Sequence, residues 1–386
     1  MHRTLTALAV FTALNALLSC KKSDTAPNPN PPVDPVAQVL NLPATALNYA
    51  SPALPAHLTT PNIADQDNTN PANPVTNNGA TLGRVLFYDK KLSINNTIAC
   101  ASCHKSANGF SDNTVKSLGF NGGLTGRNSM SIINARYYPN GRFFWDQRAA
   151  SLENQTLQPI QDLVEMGMTL PALETKLRGL AYYPPLFQKA FGDTGINSAR
   201  IAAALSQFIR SVVSYRSKYD QGRVAFPPGP IPANAPFANF SPEENRGKEI
   251  FMSGIGGCNP CHGTETFTAP GELNNGLDLT TIDRGFGAVI NNINRDATFK
   301  VTTLRNVELT APYMHDGRFT TLEQVVEHYS SGVKNHPNLS PQLRLPGGQP
   351  RLANLTAADK AALVAFMKTL TDPTLATDEK YSNPFK

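Results

Sequence analysis

Five cysteines constrain this 386-residue chain more than anything else in it. Four of them lie in two strings, Cys100-Ala101-Ser102-Cys103-His104 and Cys258-Asn259-Pro260-Cys261-His262. Two thiols one helical turn apart can add to the two vinyl groups of one macrocycle, and the adjacent histidine then lies under its iron. Both strings therefore read as c-type haem attachment sites, with His104 and His262 as axial ligands. Zinc is the competing reading, with two knuckles pooling four thiolates. Zinc does not require a histidine directly after both second cysteines. The strings are 158 residues apart, so each haem is expected in its own domain.

The fifth cysteine, Cys20, follows an apolar run from about Leu5 to Leu18 that is too short to span a bilayer comfortably. His2 and Arg3 precede the run, and Ser19-Cys20-Lys21-Lys22 ends it. This pattern predicts a lipoprotein signal peptide over residues 1–20, lipidated at Cys20. The protein is then expected in the periplasm, held to a bacterial membrane by lipid alone. The Pro- and Asn-rich residues 21–35 read as a disordered tether. With Cys20 lipidated, no cysteine is left for a disulfide framework. The net charge of +5 is mild and no dense Lys/Arg block appears, which argues against nucleic-acid binding.

Charged residues make up 16% and hydrophobic residues 40% of the chain, with 31 prolines and 27 glycines. That balance predicts compact helical units joined by long loops. No strong strand alternation runs over long stretches, and with one haem string per half the expectation is a mainly α fold of two cytochrome c-like domains. The first domain is expected over residues 36–225, opening with an extended arm, and the second over 241–386. Pro227, Pro228, Pro230, Pro232 and Pro236 mark a linker at 226–240. Leu82, Val85 and Leu86 recur at helical spacing before the first string. A helix is expected from Ala199 to Ser214, capped by Ser198, with Ile201, Leu205, Phe208, Ile209 and Val212 as its apolar stripe. Ser241-Pro242-Glu243-Glu244 carries the signature of a helix start. Thr356 opens a last helix whose buried side holds Leu363, Phe366, Met367 and Leu370.

The seven histidines restrict the sixth position on each iron. None lies between residues 105 and 261, so the first haem cannot draw a distal histidine from the core of its own domain, only from His57 in the arm or from the second domain. His57, Met130, Met166 and Met168 remain as candidates, and an open first iron is the economical reading. An open site can bind peroxide, whereas a closed one only passes electrons.

The strings and their surroundings resemble the bacterial di-haem cytochrome c peroxidase and MauG family over roughly residues 75–372. The resemblance also rests on Gly126-Arg127-Asn128, Phe144-Trp145-Asp146-Gln147-Arg148, Val164-Glu165-Met166-Gly167, and Thr303-Leu304-Arg305-Asn306 running to Ala311-Pro312-Tyr313-Met314-His315-Asp316-Gly317. It implies a peroxide-binding haem in the first domain and an electron-transfer haem in the second. Trp145, the single tryptophan, then lies between the haems as a relay. Glu165 is the acid beside the peroxide and Gln155 its polar neighbour. Such a carboxylate can carry a proton from one peroxide oxygen to the other. The resemblance also implies one Ca²⁺ held by Asn128, Thr310 and Pro312, all oxygen donors.

Two positions depart from the peroxidase branch. Many such peroxidases carry a distal histidine 16 residues after the first haem histidine, where this chain has Phe120. The usual distal methionine of the second haem falls at Tyr329, and MauG-like members have tyrosine there; His328 and Met314 are rival ligands. The implied function is reduction of hydrogen peroxide by electrons from a small periplasmic cytochrome c or cupredoxin. The alternatives are a MauG-like enzyme that turns oxidising equivalents from peroxide on a protein or other substrate, and a non-catalytic di-haem electron carrier.

Overall fold

The computed structural model describes residues 33–386, and Pro35–Lys386 form one compact unit. The signal peptide expected over 1–20, lipidated Cys20 and most of the 21–35 tether lie outside the described residues. Among the described residues, no helix is long and apolar enough to cross a membrane. The fold is mainly helical. The named strands are two residues each, pairing Glu272 with Lys300 and Leu273 with Phe299 in antiparallel register.

Two crossed helix pairs build two apolar cores. In the first, Asn77–Tyr88 crosses Ser198–Ser211. Leu82, Val85, Phe87, Leu205 and Phe208 are fully buried at that crossing. The expected stripe of the second helix is correct, but its cap is not. Asn197, one residue earlier than Ser198, accepts from Arg200 N at 2.9 Å, and the helix ends at Ser211. In the second pair, Pro242–Met252 crosses Ala357–Lys368 over Ile250, Phe251, Phe267, Leu363 and Phe366. The Ser241 capping box forms as predicted, with Ser241 Oγ accepting from Glu244 N and Glu244 Oε2 from Ser241 N.

The two crossings share one device. A Cβ on Gly83 would overlap the Ala204 carbonyl beside Phe208, and a Cβ on Gly247 would overlap the Ala362 carbonyl beside Phe366. Glycine is needed because the backbones touch there. Gly247→Val is expected to force that crossing apart and to cost about 1–3 kcal/mol, the usual range for overpacking. A lowered denaturation midpoint with an unchanged slope would register it.

The chain crosses between the cores twice. Tyr219, on the helix Lys218–Arg223, packs in the second core with Phe237 and Phe240. The 226–240 stretch is thus packed rather than free, and Arg223 donates to the carbonyls of Phe226, Pro227 and Gly229. In the other direction, Leu375 and Tyr381 return to the first core, although they fall in the span expected with the second haem. Tyr381 Oη donates to Ser211 O at 2.7 Å, and Phe385 bridges Leu40.

A buried ionic knot joins the arm to both halves. Asp220 accepts two bonds from Arg305, at 2.8 and 3.0 Å, and one from His57 Nε2 at 2.8 Å. Ser217 donates its backbone and hydroxyl groups to the same carboxylate. Burial alone would raise the Asp220 carboxyl, but Arg305, His57 and Ser217 outweigh it and hold it below the ordinary carboxylate range.

Candidate active site

Each Cys-x-x-Cys-His string forms one helical turn, Cys100–Cys103 and Asn259–His262. His104 N donates to Cys100 O at 2.9 Å and His262 N to Cys258 O at 3.0 Å, which places each ring beside its two thiols. Each ring is then fixed from behind. His104 Nδ1 donates to Phe110 O at 3.1 Å, and His262 Nδ1 to Phe267 O at 2.9 Å. Both phenylalanines sit in the left-handed region, at φ 56° and 53°, which turns their carbonyls toward the imidazoles. This leaves each Nε2 as the nitrogen available to a metal, with its tautomer set by the bond on the other side. Burial pushes both imidazoles down, His262 to about 4, so both are neutral and able to bind metal.

All four thiols are free. Burial pushes Cys100 and Cys258 up to about 12 and Cys261 to about 11. Among the described residues, no three His, Cys, Asp or Glu gather as a metal cluster, so the zinc reading lacks its ligand set. The strings instead open into two large cavities. The first, about 1620 Å³ with its mouth, is lined by Cys103, His104, Gln155 and Glu165. The second, about 1570 Å³ with its mouth, is lined by Cys258, Cys261, His262, Tyr329 and apolar side chains such as Phe251 and Leu363. Paired thiols, a tethered imidazole and a roomy, largely apolar chamber fit a covalently attached haem at each string.

In the first cavity, Gln155 comes from the helix Leu152–Gln161, which Ser151 caps. Glu165 comes from the turn that follows. Asp162 Oδ1 accepts from Val164 N at 2.8 Å and Glu165 N at 3.0 Å. The 117–125 loop closes over this turn. Gly119 meets the Val164 carbonyl without room for a side chain, and Phe120 N donates to Glu165 O at 3.1 Å. Burial pushes the Glu165 carboxyl up to about 7; Asp162 adds to the rise and Arg148 opposes it. A carboxyl so poised exchanges protons near neutral pH.

No histidine but His104 lines this cavity among the described residues. His57 is turned to Asp220. Met130 and Met166 reach the lining, and Met168 does not. Phe120, at the position of the absent distal histidine, packs its ring over Gly167 and does not line the cavity.

Trp145 lies in the wall shared by the two cavities. Its Nε1 donates to Asn128 O at 2.9 Å. Its ring meets His315 edge-on at 6.4 Å, and His315 stacks on Phe299 at 3.7 Å. Here the structure reveals a repeat that the sequence analysis missed. Phe144-Trp145-Asp146-Gln147-Arg148 and Met314-His315-Asp316-Gly317-Arg318 form the same tight hairpin, closed by the bridges Phe143–Ala149 and Tyr313–Phe319. The first and fourth residues of each have positive φ. In each, the arginine bonds the aspartate two residues before it. The aspartate and arginine at matching offsets were the available signal.

In the second cavity, Tyr329 projects from a π-helical turn, His328–Gly332, of the kind often found at functional positions. Asn275 Nδ2 donates to both Tyr329 Oη and Met314 Sδ, each at 3.4 Å. His328 instead donates from Nε2 to Asn275 O at 2.9 Å and does not line the cavity. Asn128, Thr310 and Pro312 all line the same cavity.

The family described as di-haem cytochrome c peroxidase matches residues 77–224. The methylamine utilization protein MauG of Methylorubrum extorquens is 32% identical over 301 residues, 78% of this chain and 80% of its own length. Cytochrome c551 peroxidase of Nitrosomonas europaea is 31% identical over 76% of this chain and 79% of its own. The crystal structure of a MauG-like protein associated with microbial copper homeostasis has a TM-score of 0.73 and 30% identity, covering 88% of this chain and 99% of that one. The diheme peroxidase BthA of Burkholderia thailandensis shares the fold at 23% identity and a TM-score of 0.64, covering 82% of this chain and 92% of that one. The fold and the paired strings thus define a haem peroxidase, an oxidoreductase of the c-type cytochrome class. The chain belongs to the di-haem cytochrome c peroxidase and MauG family.

Proposed function

We propose that the protein reduces hydrogen peroxide to water with electrons from a small periplasmic cytochrome c or cupredoxin. One observation carries this reading. A half-buried carboxyl pushed up to about 7, Glu165, lines the same cavity as His104, and among the described residues no second histidine lines it. On this reading Cys100, Cys103 and His104 hold the peroxidatic haem, and Cys258, Cys261 and His262 hold the electron-transfer haem. When bound, the haems would supply the iron redox chemistry that breaks the O–O bond of peroxide. Glu165 takes the proton from one peroxide oxygen and returns it to the other, which leaves as water. The Gln155 amide holds the peroxide in place by hydrogen bonding. Trp145, in the common wall, provides the path along which electrons cross between the cavities. Two electrons and two protons per peroxide complete two waters.

The proposal extends to organisation. Residues 36–225 and 241–386 form the two cytochrome c-like domains, joined at 226–240, with Tyr219 and the last residues exchanged between their cores. Cys20 anchors the protein by lipid at a periplasmic membrane face. Asn128, Thr310 and Pro312 offer an amide oxygen and backbone carbonyls for one Ca²⁺.

Steady-state consumption of peroxide by the two-haem protein with a reduced small cytochrome tests the function. Absence of turnover, together with two irons that bind neither cyanide nor peroxide, would reduce it to electron carriage. Tyr329 supports a second reading, a MauG-like oxidation of a protein side chain, because its hydroxyl faces the second cavity. Slow turnover of small donors with oxidation of a protein partner is the result that favours this reading. In either case Tyr329→Phe is expected to change the absorption spectrum of the second haem alone. An unchanged spectrum removes Tyr329 as its ligand.

A further inference from the structure

Lys300 is a buried cation without an anion. It is 8% exposed, and it makes no ion pair among the described residues. Its Nζ lies 3.6 Å from the Tyr138 ring centre and 4.6 Å from that of Phe143. Glu272 is its partner across the two-stranded ladder, but Arg295 takes that carboxylate. The neighbouring cations are all engaged: Arg127 with Asp146 and Asp283, Arg148 with Asp146. Burial pushes the Lys300 ammonium down to about 7. An isolated buried ammonium is costly, and the aromatic faces offset only part of that cost.

Its position explains why a lysine is there. Lys300 lines both cavities, in the wall that also holds Trp145. Its backbone N donates to Trp145 O at 2.8 Å, so it is fixed to the hairpin between them. A haem brings its own carboxylates to its pocket. We propose that Lys300 is the cationic seat for haem carboxylates at the wall between the two cavities, so that this single charge raises the reduction potentials of both haems. The inference rests on the haem reading above. It assigns Lys300 a role that the strings, Glu165 and Trp145 leave open.

The test uses the full-length protein with both haems attached. Lys300→Met keeps the length of the side chain and its fit between the rings but removes the charge. Lys300→Arg keeps the charge. Haem content is counted by pyridine haemochrome, and both potentials are measured by spectroelectrochemistry. Lys300→Met should hold two haems with both potentials lowered, about 59 mV for each tenfold change in the ferric-to-ferrous equilibrium. Lys300→Arg should keep both near the parent values. Loss of haem from the Met variant alone also supports the seat. Unchanged potentials in Lys300→Met, a fall at one haem only, or loss of haem from both variants overturns it. So does recovery of the parent potentials in Lys300→Met/Glu272→Gln, which would make Glu272 the true partner. A parent protein with no haem refutes the haem reading itself, a result distinct from any of these.

Discussion

Glu165→Gln is expected to cut peroxide turnover by about 10²–10⁴-fold, the usual contribution of a positioned proton carrier. Gln fills the same space and preserves the turn that Asp162 holds, since those bonds run to backbone N–H groups. What it loses is the ability to accept a proton. Haem content and the resting spectrum should therefore stay as they are while turnover collapses. The pH profile gives a second check with a definite sign. The carboxyl titrates at about 7 and must be ionised to take the first proton. Turnover should rise as pH increases through about 7, and the Gln variant should lose that step. Turnover within a few-fold of the parent in Glu165→Gln would remove Glu165 from the chemistry.

Asp220→Ala is expected to give the largest loss of stability, about 3–5 kcal/mol, as when one partner of a buried ion pair is deleted. Arg305 is wholly buried and His57 is 2% exposed, so neither can turn to water. His57 is exposed to the loss twice over, since its Nδ1 already lacks a partner. Asp220→Asn keeps hydrogen bonding but not charge and should fall between. The carboxyl is depressed in the folded state, so its contribution is present above the ordinary aspartate value of about 4. It fades as pH falls below that toward the folded value. Denaturant unfolding at neutral and acid pH would measure both statements. A neutral-pH loss below about 1 kcal/mol would show that the knot is incidental.

The two Cys-x-x-Cys-His strings were legible as candidates for haem attachment because that chemistry demands particular atoms at a fixed spacing, which no tertiary contact alters. Helix starts at Ser241 and Thr356 were legible for a similar reason, since capping is settled within four residues. The cap at Asn197 was misread by one residue because Asn and Ser are both good caps and sit side by side. Other features depended on partners far along the chain. Nothing local marks Tyr381 and Phe385 as first-core residues, for they follow a polar stretch without periodicity. Lys300 reads as an ordinary surface lysine, because burial of a lysine depends on what folds around it. Phe120 could be read as a side chain unable to bind iron, but not as the ring that covers Gly167. The arrangement around Glu165 needed two distant stretches to meet, the loop at Phe120 and the helix and turn that carry Gln155 and Asp162.

The bridge between Leu40 and Phe385 has a mechanical side. Asn41 N also donates to Pro384 O, and Lys386 N to Val39 O, at 2.7 and 3.1 Å. The chain is thereby buckled, its last residues clasped to the entry of the arm. Two lobes linked by a single strand of polypeptide would ordinarily rock against each other. Here, any such rocking must first unfasten the buckle and pull Tyr381 out of apolar packing. On the proposed di-haem reading, that clasp would hold the two cavities, and the electron path through Trp145 between them, at a fixed separation.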